Sequence, residues 1–99
     1  MLKTIYGYEL MAGFGKISMP KNADILSIGL DLNGNLCVWA LTDPDDDTTH
    51  RTFVVRLFEC IGTGCRILDR VDYSRKFIGT AVMAPFVWHV FELVENNER

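Results

Sequence analysis

The sequence predicts an all-β domain, a small antiparallel sandwich or flattened barrel of about seven strands occupying residues 1–99 as one unit. Three observations predict it. Apolar residues alternate with polar ones at period two along several stretches. Short apolar runs are divided by glycine, proline, asparagine and aspartate, the residues that turn a chain. No segment between them is long enough to hold a stable helix.

Each strand follows from its local pattern. TIYGYEL (4–10) and KISM (16–19) flank a turn expected at Gly13 and Gly15. LSIGLDL (26–32) puts Leu26, Ile28, Leu30 and Leu32 on one face and Ser27, Gly29 and Asp31 on the other, since successive side chains point to opposite sides. Asn33-Gly34 joins it to LCVWALT (36–42). That pair predicts a type I′ hairpin, whose two central residues both need positive φ. RTFVVRLFECI (51–61) is long, β-branched and aromatic, and bends at Gly62-Thr63-Gly64. ILDRVDYS (67–74) reads as a short helical turn or an irregular crossover. KFIGTAVM (76–83) and FVWHVFELV (86–94) are separated only by Ala84-Pro85, where a residue without an N–H suits a tight turn. The polar tail ENNER is expected to fray.

The totals bound the class. Ninety-nine residues allow one hydrophobic core, and 48% apolar with 23% charged residues is ordinary for a soluble globular domain. A net charge of −3 gives no general attraction to nucleic acid or to an anionic membrane. No apolar run reaches the roughly 18 residues that spanning a bilayer needs. MLKTIYGYEL lacks the continuous apolar stretch of a signal peptide. Cys37, Cys60 and Cys65 form an odd set, which argues for a reducing, cytoplasmic setting over a disulfide scaffold.

Residues 36–42 and 86–94, and part of 53–61, are apolar on both faces. Phe86, Trp88 and Val90 share one side of the last strand, while Val87, His89, Phe91 and Leu93 share the other. A strand apolar on both sides needs a cover on each. The sequence leaves two candidates, the loop 62–75 folded over the sheet or a second copy in a homodimer.

Motifs for chemistry are sparse. In DPDDD (43–47), Asp43, Asp45 and Asp47 match the first three ligand positions of a calcium loop, but Thr48 and Val54 stand where glycine and glutamate are required. The stretch reads as an exposed turn or an acidic contact surface. Cys60, Cys65, His50 and His89 assemble into a zinc set only on paper, because no second cysteine pair exists. A Cys60–Cys65 bridge is equally unsupported in a reducing compartment. IGTGCR (61–66) lacks the third glycine of a dinucleotide loop and the Gly-Lys-Ser/Thr of a P-loop. A backbone nest for a small anion stays open there, helped by Arg66, Arg70, Arg75 and Lys76 and opposed by Asp69 and Asp72. His89 reads as a histidine satisfied by a backbone group or hydroxyl, with an interface role or a catalytic dyad with Cys37, Cys60 or Cys65 as alternatives, and Trp39 and Trp88 as core residues before ligand platforms. No catalytic residue, metal or cofactor is expected. The candidate binding set is Trp88, His89, Phe91, Arg66 and Arg70.

MPKNADILS (19–27), WALTDP (39–44), RTF (51–53), GTG (62–64), FIGT (77–80) and VWHVFE (87–92), taken in order and spacing, resemble a family of short, functionally uncharacterised bacteriophage and prophage proteins. GFG (13–15) and VDYSRK (71–76) depart locally from it. The resemblance implies phage origin and the host cytoplasm, and it transfers no catalytic residue. It leads to the expectation of a non-enzymatic accessory protein that binds a host protein, such as an anti-phage defence component. An oligomeric sponge for a small anionic nucleotide and a minor virion component are the alternatives.

Overall fold

The computed structural model describes residues 3–11, 13–43 and 52–96. Within them the chain forms β1 (Thr4–Glu9), β2 (Gly13–Pro20), β3 (Asp24–Leu30), β4 (Leu36–Thr42), β5 (Phe53–Gly62), β6 (Tyr73–Met83) and β7 (Phe86–Glu95). Every strand pair is antiparallel. A three-stranded sheet runs β1-β4-β3 and a four-stranded sheet runs β2-β5-β7-β6. The all-β expectation holds, and the two sheets make a sandwich. Pro44, the aspartates at 45–47, Thr48, His50 and Arg51, and the tail from 97 on, lie outside the described residues.

Between the sheets, Val38 and Leu36 from one layer meet Met19, Phe58 and Val90 from the other. Phe58, Met19, Val38 and Val90 are fully buried, each contributing roughly 1.5–3 kcal/mol of transfer free energy. The layers approach most closely where β3 passes β6. Gly79 leaves room for Ile28 there, and a Cβ on Gly79 would stand 3.0 Å from the Ile28 side chain.

Three local expectations need correction. Gly13 opens β2 and Gly15 lies within it, so no turn forms there, and β1 and β2 belong to different sheets. The hairpin between β3 and β4 exists, but its turn is not type I′. Gly34 alone of the central residues has positive φ (81°), and the Gly34 N–H donates to the Asp31 carbonyl at 3.0 Å. That is a type I turn closed by a glycine bulge, the usual geometry of a three-residue loop. Asp31 rather than Asn33 organises it. Its Oδ1 accepts the N–H groups of Asn33 and Asn35 at 2.8 and 2.9 Å. The Asn35 N–H, more than any other group, holds the Asp31 carboxyl below the usual range. Third, the stripe Leu26, Ile28, Leu30 and Leu32 is not buried as a unit. A bulge at Leu26 shifts the alternation, so Ile25 joins Ile28 on the core, while Leu30, on the same side opposite Leu36, stays exposed at the rim, as do Leu26 and Leu32.

Strand β4, apolar on both faces, is the central strand of its sheet. Its outer residue Trp39 lies against Gly7 of β1 on one side and Gly29 of β3 on the other. A Cβ on Gly7 would stand 2.6 Å from the indole, so only glycine lets the ring lie flat there. Cys37, next along that face, is buried beside the hairpin. Its thiol is pushed up first by burial and then by Asp31, whose Oδ2 lies 3.7 Å away.

Candidate binding face

The four-stranded sheet turns one side to the core and the other outward, and register assigns every residue. Along β7, Trp88, Val90 and Glu92 point inward, opposite Gly62, Cys60 and Phe58 of β5. Val87, His89, Phe91 and Leu93 point outward, with Ile61, Glu59 and Leu57 of β5 beside them. On β6 the bulge at Ile78 keeps Thr80 and Phe77 on the outward side. Phe14 and Lys16 of β2 complete that face.

The anticipated cover is the chain's own crossover, in part. The segment between β5 and β6 forms no helix. A turn at Thr63 and Gly64 starts it, with Gly64 at φ 90° and the Cys65 N–H donating to the Gly62 carbonyl. It then lies back over the sheet and is fixed through Glu59. Arg75 Nε donates to Glu59 Oε1 at 2.7 Å and Arg70 Nη2 to Oε2 at 2.9 Å, while Arg75 also reaches the Leu68 carbonyl. Burial pushes the Glu59 carboxyl up, but the Arg75 and Arg70 guanidiniums outweigh it and hold it below the usual range. Arg70 also sits 5.9 Å from the centroid of the Phe14 ring, a cation–π contact. Beneath the strap Ile61 is buried, and Leu93 is buried further along the same face.

Much of the face is left open. Val55 is 60% exposed, Phe77 57% and Phe14 46%. The strap adds Ile67, Leu68 and Val71, all directed to solvent. Where β5 and β7 stop pairing beyond Leu57 and Leu93, the strands part around a cleft of about 830 Å3. Phe14, Lys16 and Val55 line one part of it, and Tyr73, Val94 and Glu95 another.

Four of the five candidate binding residues belong to this region and one does not. His89 and Phe91 lie on the face, Phe91 edge-to-face with Phe77 at 5.5 Å. Arg66 and Arg70 lie in the strap and border a hollow of about 280 Å3 with Glu59 and Arg75. Trp88 points the other way, packing against the core beside Phe86 at 5.7 Å. His89 is satisfied by hydroxyls, with Thr63 Oγ1 2.7 Å from Nε2 and Thr80 Oγ1 3.0 Å from Nδ1. Cys60 faces the core while His89 faces out, so they form no dyad. Burial pushes the Cys60 thiol up, with Glu59 adding to the rise. All three cysteines are free thiols, and no cluster fit for a metal ion occurs among the described residues. No helix among them is long and apolar enough to cross a membrane.

The sequence reading missed the ion pair behind this face. Arg56 Nε and Nη2 grip both oxygens of Glu92 at 2.6 and 2.8 Å, and Nη1 donates to the Ala23 carbonyl at 2.7 Å. The Arg56 and Glu92 side chains are only 20% and 8% exposed. Strand parity held the signal, since Arg56 alternates with Phe58 and Glu92 with Val90, both inward.

No curated protein and no solved structure matches the chain. Residues 1–99 match the model of one family, a domain of unknown function (DUF7352), and the chain belongs to that family.

Proposed function

We propose that this is a non-enzymatic accessory protein of bacteriophage origin, acting in the host cytoplasm by binding and blocking a host protein such as an anti-phage defence component. The observation that carries the binding part is the outer face of the four-stranded sheet. Phe14, Val55 and Phe77 stay open there beside the apolar strap residues Ile67, Leu68 and Val71. Exposed apolar surface of this extent marks interaction sites, and aromatic side chains with arginine near the centre are the usual anchors. The phage and host parts rest on the resemblance of the sequence. Tagged wild-type chain and Val55→Glu, used as baits in lysate of infected bacteria, test the reading. A host protein retained by the wild type and lost with Val55→Glu, at unchanged circular dichroism, supports it. Identical captures by both baits overturn it.

A second reading, a sponge for a small anionic nucleotide, is favoured by Arg66. It is exposed, makes no ion pair among the described residues, and borders the strap hollow with Arg70 and Arg75. Glu59 and Asp69 line the same hollow and oppose an anion. A thermal shift with cyclic nucleotides that disappears in Arg66→Ala would favour the sponge over protein binding.

A further inference from the structure

A strand at the edge of a sheet presents a row of main-chain N–H and C=O groups with no neighbour, and proteins blunt such edges with bulges, charges or proline. The two sheets end on β1, β3, β2 and β6. Three of these are blunted. β3 has its bulge at Leu26, and β6 has one at Ile78 just after Arg75 and Lys76. β2 contains Lys16 and ends on Pro20. β1 has none of these devices. TIYGYE pairs with β4 from Thr4 to Glu9 with no register break, and its only charge is its last residue.

The charges about β1 are also self-complementary. Lys3 stands immediately before the strand and Glu9 ends it. Both are exposed, and neither makes an ion pair among the described residues. Alternation puts Lys3, Ile5, Gly7 and Glu9 on the same side of the sheet as Trp39. Laid antiparallel against a second β1 with Tyr6 opposite Tyr6, the strand keeps that side intact. Lys3 then faces Glu9 of the second copy at both ends. Ile5, 56% exposed, faces Gly7 of the second copy, where the bare backbone and the Trp39 ring leave an apolar seat.

We propose that β1 pairs with β1 of a second copy about a two-fold axis through Tyr6. The two three-stranded sheets join into one continuous sheet, closed at each end by a Lys3–Glu9 ion pair. The contact is isologous, so one surface supplies both halves. It is separate from the outer face of the four-stranded sheet and does not depend on what docks there.

Charge exchange on the full chain tests this by light scattering and sedimentation over a concentration series at low salt. Wild type shifts from the 11.2 kDa of one chain toward twice that mass as concentration rises. Lys3→Glu and Glu9→Lys each put like charges opposite one another at both ends and weaken the dimer roughly tenfold. The double variant K3E/E9K restores opposite charges and regains most of the affinity. Amide exchange in β1 slows with concentration in wild type and in the double variant. A wild-type mass of one chain throughout overturns the proposal, as does a dimer unaffected by either single exchange. Loss of association in the double variant as well would also overturn it.

Discussion

Two carboxylates in the four-stranded sheet are each gripped by arginine, and they do different work. Glu92 faces the core, where Arg56 holds both its oxygens and also binds the Ala23 carbonyl in the turn from β2 to β3. Glu59 faces outward, where Arg75 and Arg70 tie the crossover down onto the sheet. The chemistry is the same and the shielding is similar, with Arg56 and Glu92 20% and 8% exposed and Arg75 and Glu59 16% and 14%, but the segments they hold differ. An interior pair cannot lose one member without leaving the other charge stranded away from water, so Glu92 fastens the layers permanently. Glu59 holds a crossover and not a layer, and its Arg70 arm, 39% exposed, can open into solvent, so Glu59 works as a latch.

The largest expected effect tests the fastener. Arg56→Met leaves Glu92 buried without its partner and costs about 3–5 kcal/mol in urea unfolding, whereas Arg56→Met with Glu92→Leu recovers most of that loss. A single variant as stable as wild type would erase the distinction between the two sites. Next comes the latch. Glu59→Gln costs about 1 kcal/mol overall, yet it speeds proteolysis and amide exchange specifically within 65–72.

Acid sharpens the same contrast. Because the arginines hold the Glu59 carboxyl below its unfolded value, its contribution is complete above the ordinary glutamate range near about 4.3. It is lost as pH falls through the lowered folded value. Pepsin cleavage of the strap, normalised at each pH to cleavage of an unstructured peptide, therefore rises as the pH drops through that window, and Glu59→Gln, already unlatched, shows no such rise. The smallest effect lies in the hairpin. Asp31→Ala removes an acceptor for two N–H groups at an exposed turn and lowers stability slightly, read as a small fall in the thermal midpoint.

Much of this was legible where the signal is local. The Asn33-Gly34 loop, the short Ala84-Pro85 connection and all seven strands follow from turn chemistry and alternation a few residues long. What escaped was set by pairing across the chain. The bulges at Leu26 and Ile78 insert one residue and reverse which side chains are buried, and no local pattern announces them. Two apolar faces on β7 were readable, but sharing the cover between a strap and open surface depends on Glu59 meeting Arg70 and Arg75. Arg56 and Glu92, 36 residues apart, each stand alone within an apolar run, so nothing local marks them as partners. Their shared parity with Phe58 and Val90 was the available clue. For the binding set, alternation separated Trp88 from His89 and Phe91, yet nothing in the sequence said which side would be the interior.

The indole resting on bare backbone in the three-stranded sheet ties positions 7 and 39 together. A methyl group at 7 has no room while tryptophan occupies 39, and a smaller residue at 39 strips the strand centre of its covering. Substitution at either site is expected to be tolerated only together with the other, so a glycine that looks like a loose joint is half of a fitted pair.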